Sequence, residues 1–207
     1  MTHIRHSEKV FTMKRLLLIF IITFSFQSLT KADDIRDFQI EGMSIGDSLL
    51  NFLDKSEIQK NYFTGTTSKK FVSSYNVGNS KIYDGIQFHY KNLDKKFILY
   101  AISGIIEYSN KDIEKCYKKI SDIYSEIAIM FPNAETEKEI LYDAPSDNSG
   151  NSKVFEHHFV LNDGSEIKLQ CTKWSKQIQS ENNWFSNLRI AVTSKELLDW
   201  LDEIYYN

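Results

Sequence analysis

Hydrophobic and polar positions alternate along this chain with two different periods, and each change of period marks an element. In "KFVSSYNV", Phe71, Ser73, Tyr75 and Val77 share one side, and in "GIQFHYK", Ile86, Phe88 and Tyr90 do the same. Period-two spacing predicts half-buried strands. After a turn at "NLDKK", the run "FILYAISGIIEY" is apolar on both sides and predicts a central strand. Gly104 within that run predicts a bulge or a close backbone approach. The period then lengthens. In "NKDIEKCYKKISDIYSEIAIMFP", one stripe holds Ile113, Cys116, Tyr117, Ile120, Ile123, Tyr124, Ile127 and Met130, so a helix is predicted that ends at Pro132.

Two further strands, "VFEHHFVL" and "EIKLQCTKW", flank Asn162-Asp163-Gly164-Ser165, where Asp-Gly favours a tight hairpin turn. "LRIAV" is another strand. Thr193 and Glu196 read as a capping box for a last helix whose buried face is Leu197, Leu198, Leu201, Ile204 and Tyr205. Nearer the start, "DFQIEG" reads as a short strand stopped by Gly42, and "SLLNFLDKSEI" as a short amphipathic helix. The polar segment 143–153, "DAPSDNSGNSK", reads as an exposed loop, and Glu135, Glu137 and Glu139 as a solvated face. The order is helix, three strands, helix, three strands, helix. Segments 45–108 and 111–193 therefore look like two copies of an α-β-β-β unit, without residue-level identity. Short links between strands favour antiparallel neighbours. The expected class is α+β: a twisted antiparallel sheet with helices packed on one face.

The segment "MKRLLLIFIITFSFQSLTKA", residues 13–32, has a different character. Lys14 and Arg15 precede an apolar run from Leu16 to Phe26, and Thr30 and Ala32 supply the small residues of a cleavage site. This is the pattern of a secretory signal peptide cut after Ala32. The run falls short of the about 20 apolar residues that a membrane span needs. An uncleaved N-terminal anchor is the alternative. No cysteine lies near the cut, so no lipoprotein anchor is expected, and Met13 is a candidate true start. The mature chain, 33–207, is then one domain with enough length to bury a core. Cleavage removes five basic residues and one acidic one, leaving 20 basic against 27 acidic and a net charge of −7. An acidic surface repels phosphate backbones, which disfavours nucleic acid and anionic membrane surfaces as partners.

Candidate chemistry is sparse. Gly46-Asp47-Ser48-Leu49 resembles the name-giving motif of the GDSL-type esterases and lipases, which implies Ser48 as nucleophile of an envelope hydrolase. That family also needs an Asp-x-x-His near the C-terminus. Here the last histidines, His157 and His158, lie about fifty residues from the end with Val154 and Phe155 three positions before them. A serine without a base stays protonated and weakly nucleophilic. The alternative reading is structural: Gly46 makes a bend, and Asp47 or Ser48 caps a helix. No catalytic residue is therefore assigned.

Cys116 on the helical stripe and Cys171 on a strand both point to the core, so a disulfide is expected in an oxidising compartment, with two separately buried thiols as the alternative. Adjacent on a strand, His157 and His158 face opposite ways and do not share a metal easily. His89 could join one of them across the sheet, but no acidic partner is evident. No metal or cofactor is expected. Trp184 and Phe185 in "SENNWFSN" are candidates for a partner contact, or for folding back over the core edge. There is no glycine-rich phosphate loop, zinc spacing or nucleotide fingerprint.

With the leader, "IEGMSIGDSLLNFL" resembles a group of uncharacterised small envelope proteins of marine alphaproteobacteria. More loosely, the tandem α-β-β-β order is similar to the β-lactamase-inhibitor-like fold of small periplasmic binding and assembly factors. These resemblances imply a periplasmic or secreted protein and supply no functional residue. The expected function is non-catalytic: binding of an envelope protein or component through a sheet face or an aromatic loop.

Overall fold

The computed structural model describes residues 32, 34–60, 62–63, 70–77 and 80–206. All of the expected leader but Ala32 lies outside the described residues. Residues 32–207 form one compact unit. Among the described residues eight strands make a single antiparallel sheet: β1 (Tyr62–Phe63), β2 (Phe71–Val77), β3 (Gly85–Lys91), β4 (Ala101–Tyr108), β5 (Glu135–Asp143), β6 (Lys153–Val160), β7 (Glu166–Lys173) and β8 (Ser186–Thr193). Their order across the sheet is β1-β2-β3-β4-β8-β7-β6-β5. The protein is thus α+β, built from two antiparallel meanders whose last strands, β4 and β8, pair in the middle. Each half carries one strand more than the α-β-β-β pattern expected from the sequence. The extra strand of the second half is β5, where Glu135, Glu137 and Glu139 stand on the exposed outer edge of the sheet. Its charges hide the apolar alternation, and they also discourage pairing with another chain's edge.

Among the described residues four α-helices accompany the sheet: α1 (Lys55–Lys60), α2 (Ile113–Met130), α3 (Lys176–Asn182) and α4 (Lys195–Tyr206). Helix α2 buries Ile113, Cys116, Ile120 and Ile127 in one core with Ile102, Phe159, Ile167, Leu169, Leu188 and Val192. Met130, expected on that stripe, is the last residue of the helix and is 40% exposed. Helix α4 packs elsewhere. Its Leu197 and Trp200 meet Phe71 and Ala101, a separate cluster. Ala101 and Ile102 are consecutive strand residues and so point to opposite faces. The helices therefore cover both faces of the sheet rather than one, α2 on the first and α4 at a corner of the second. Most of that second face carries polar side chains.

Several local expectations change in detail. "DFQIEG" is reduced to a bridge between Ile40 and Met43 around a turn in which Glu41 and Gly42 both have positive φ. "SLLNFLDKSEI" splits into a 3₁₀ turn, Leu49–Asn51, and helix α1, because the turn's own bonds close at Phe52 and Leu53. "FILY" does not join β4: Phe97 has φ 50°, and Ile98 instead bridges to Ser48. Gly104 makes no bulge. The ring of Tyr83 occupies the place of its missing side chain, 2.3 Å from where a Cβ would stand. At α4 the cap is Ser194 rather than Thr193, its Oγ accepting from the Leu197 N–H at 3.4 Å. Glu196 does not close a capping box; it reaches Lys91 Nζ at 2.9 Å.

Cys116 and Cys171 form a disulfide, with Cα atoms 6.1 Å apart and a sequence separation of 55. It ties α2 to β7, and both sulfurs sit in the fully buried core. Among the described residues no helix is long and apolar enough to cross a membrane.

Candidate functional site

The polar second face of the sheet carries the only concentration of chemistry that the described residues bring together. Its strand positions are Gln87 on β3, Ile105 and Glu107 on β4, Asn187 and Arg189 on β8, and Glu156, His158, Glu166, Lys168 and Gln170 on β6 and β7. Over the β2–β3–β4–β8 part of this face lies an open hollow of about 700 Å³. Arg189, Gln87 and Tyr75 form its floor, and Trp174, Trp184 and Phe185 form an aromatic wall.

The wall is positioned by backbone anchors. The Trp174 N–H donates to Ser186 Oγ at 3.0 Å, and its carbonyl accepts from Asn110 Nδ2 at 3.0 Å and Gln179 Nε2 at 2.9 Å. Helix α3, absent from the sequence reading, ends at Asn183 in the left-handed conformation, φ 56°, which turns the chain back toward the sheet. Trp184 and Phe185 follow at once. Trp184 packs against Trp174 with ring centroids 4.7 Å apart, yet it stays 40% exposed, and Phe185 is 56% exposed. Both flank the hollow. Segment 143–153, expected as an exposed loop, is instead knitted together. Asp147 accepts from Ser149 N at 3.0 Å and from the hydroxyls of Ser149 and Ser152 at 2.6 Å each. These bonds hold its carboxyl well below the usual carboxylate range, and the loop brings Ser146 to the rim of the hollow.

Arg189 is the most informative group on the floor. It directly faces Ile105 on one side and Gln170 on the other. Its Nη1 donates to Gln87 Oε1 at 2.6 Å. Among the described residues no carboxylate lies within ion-pair distance of it, and burial pulls its pKa below the ordinary arginine value. Tyr75 stands nearby because β3 offers it Gly85. A Cβ there would fall 1.9 Å from the Tyr75 hydroxyl. On the same face His89 is half-buried with its Nδ1 enclosed and unpartnered, and burial together with the Arg189 charge lowers its pKa to about 4. His89 is therefore neutral and adds no second charge.

The two adjacent histidines do point to opposite faces, with opposite consequences. His157 enters the core against Tyr124 and Phe155, ring centroids 4.8 Å and 5.2 Å away. Its Nδ1 accepts from the Glu139 N–H at 2.9 Å, at a β-bulge where Glu139 takes φ 60°. Burial lowers its pKa. His158 lies on the polar face, where two carboxylates hold it: Nε2 donates to Glu156 Oε1 at 2.7 Å and Nδ1 to Glu166 Oε1. These bonds raise its pKa to about 9, so the imidazole is charged at neutral pH. The acidic partners that the sequence did not reveal are the same-face residue two positions earlier and a cross-strand neighbour on β7. Tyr142 Oη and Gln170 Nε2 also donate to Glu156, at 3.0 and 3.4 Å. The described residues contain no group of three or more side chains suited to holding a metal ion.

Ser48 lies apart from all this. Its Oγ accepts from the Leu50 N–H at 3.3 Å as the cap of the 3₁₀ turn and donates to the Lys96 carbonyl at 2.6 Å. Gly46 makes the bend before it with φ 92°, and Asp47 Oδ2 accepts from the Ser44 N–H at 2.9 Å. No hydrogen bond joins Ser48 to a histidine among the described residues.

No known family, no curated protein and no solved structure matches this chain.

Proposed function

We propose that this is an exported, non-catalytic binding protein of the cell envelope, and that the hollow over the polar sheet face is where it binds. The observation that carries this reading is the hollow itself. It is an open concavity with a polar floor and an exposed aromatic wall, the composition of a binding site rather than of a spare surface. Serine chemistry finds no support. The Ser48 hydroxyl is engaged by backbone groups, and a nucleophile needs a base within hydrogen-bond reach. Export is supported by the leader-like segment 13–32 and by the Cys116–Cys171 bond, since disulfides persist in oxidising compartments. The resemblance to small alphaproteobacterial envelope proteins points the same way.

A photo-reactive amino acid placed at Trp184 or Phe185 in cells tests the reading, with one at exposed Leu141 on β5 as reference. The expected result is an adduct from the first two positions only, together with recovery of a processed protein in the periplasmic or secreted fraction. Equal labelling from all three positions, or retention of the protein in the cytosol, defeats it.

A further inference from the structure

The floor of the hollow also says what class of ligand belongs there. We propose that it binds a small organic monocarboxylate with a flat or apolar body, the carboxylate seated on Arg189 and the body against Trp184. This inference rests on the binding reading above and narrows it.

A guanidinium carries five N–H donors and no acceptor, and it is most at ease against a carboxylate held by two parallel bonds. Arg189 spends one nitrogen on Gln87, a neutral amide. Arg189 is half-buried, and a cation drawn partly out of water is stabilised by an anion beside it. The nearest acid toward β6 is Glu156, which faces Gln170, itself facing Arg189. Two strand spacings, roughly 10 Å, therefore separate Arg189 from Glu156. Glu156 is in any case committed to His158, Tyr142 and Gln170. The His158 clamp thus withholds the one acid of this face that could have neutralised Arg189 from the β6 side. The guanidinium is left facing an open space that an anion can enter.

The rest of the hollow limits that anion. Glu107 lies on the same face, two residues along β4 from the Ile105 that faces Arg189. Its carboxyl is pushed up by burial and by the nearby Asp84 charge. A second negative group on the ligand would meet that acid, which favours one charge over two. Trp174, Trp184 and Phe185 then offer ring faces and edges to an apolar body.

Calorimetric titration of the oxidised protein decides the matter, with tryptophan fluorescence of wild type against Trp184→Phe as a second readout. Four probes are used: 3-phenylpropionate, its neutral amide, propionate and the dianion phenylsuccinate. Saturable binding of 3-phenylpropionate is expected at or below about 10 mM, as befits a fragment-sized ligand. The amide, propionate and phenylsuccinate are each expected to bind about tenfold more weakly or not at all. Arg189→Gln should abolish the preference for acid over amide, and Trp184→Ala should weaken the acid while leaving that preference in place. The comparison of acid with amide needs no variant, so a poorly folded Arg189→Gln protein leaves the proposal open to refutation. Equal binding of acid and amide, or none by the acid, overturns it. Adducts from Trp184 in cells would in that case keep the binding reading alive and remove only the carboxylate.

Discussion

Replacing His158 by Gln keeps the approximate size of the side chain and one donor nitrogen but removes a charge from between two carboxylates. The His158 side chain is 15% exposed, and those of Glu156 and Glu166 are 7% and 12% exposed. A folded-state pKa of about 9 against an ordinary 6.5 corresponds to about 3 kcal/mol of preference for the charged ring. Screening at the open edge of the face reduces this to about 2 kcal/mol. The folded pKa is raised, so this stabilisation is complete below 6.5, declines as pH climbs from 6.5, and is gone once pH has passed about 9. His157 and His89 have lowered pKa values and act with the opposite sign, weakening the fold as pH falls below the ordinary histidine value. Both remain in the variant and cancel in the comparison. Urea unfolding of wild type and His158→Gln at several pH values between about 6 and 10 measures the difference directly. It should be about 2 kcal/mol at the acid end and shrink toward zero at the alkaline end. A difference that stays constant across that range would refute the argument, because it would show a packing effect and not a charge held between Glu156 and Glu166.

Removing the disulfide through Cys116→Ala with Cys171→Ala frees a loop of 55 residues in the unfolded chain and should cost about 4 kcal/mol; unfolding with and without reductant checks it, since reductant should then affect wild type alone. His157→Phe fills the core site but leaves the Glu139 N–H without its acceptor, an expected loss of about 1–3 kcal/mol in urea unfolding. Ser48→Ala removes a cap and should cost about 1 kcal/mol; serine-dependent ester hydrolysis by the mature protein would instead revive the hydrolase reading. Gly85→Ala drives a methyl group into Tyr75 and should destabilise by about 1–3 kcal/mol, with displacement of the Tyr75 ring visible by NMR.

Where period and burial agree, the chain could be read directly. The α2 stripe, the central strand β4 and the Asp-Gly hairpin emerge from local pattern, and two core-facing positions raise the expectation of a Cys116–Cys171 bond beside that of two buried thiols, which the structure decides for the bond. Strand β5 was hidden because its visible alternation is of charge, not of apolar side chains: Glu135, Glu137 and Glu139 on a sheet edge look like any solvated segment. Helix α3 is a single short element with one buried residue, Ile178, too little to show a period. The second face escaped notice for a related reason. Gln87, Arg189, Glu156 and His158 come from three strands and gain meaning only through the register that sets them side by side. Trp184 and Phe185 could be singled out in the sequence, but nothing in it says that Arg189 lies across the same hollow.

The middle of this sheet is closed by β8, the last of the described strands in chain order. Until Ser186–Thr193 is available, Ala101–Tyr108 and Glu166–Lys173 each present a bare row of backbone donors and acceptors. A polypeptide stopped short of Ser186 would hold two half-sheets with sticky inner margins and should clump. Protection against self-association is in this sense delegated to one strand, β8.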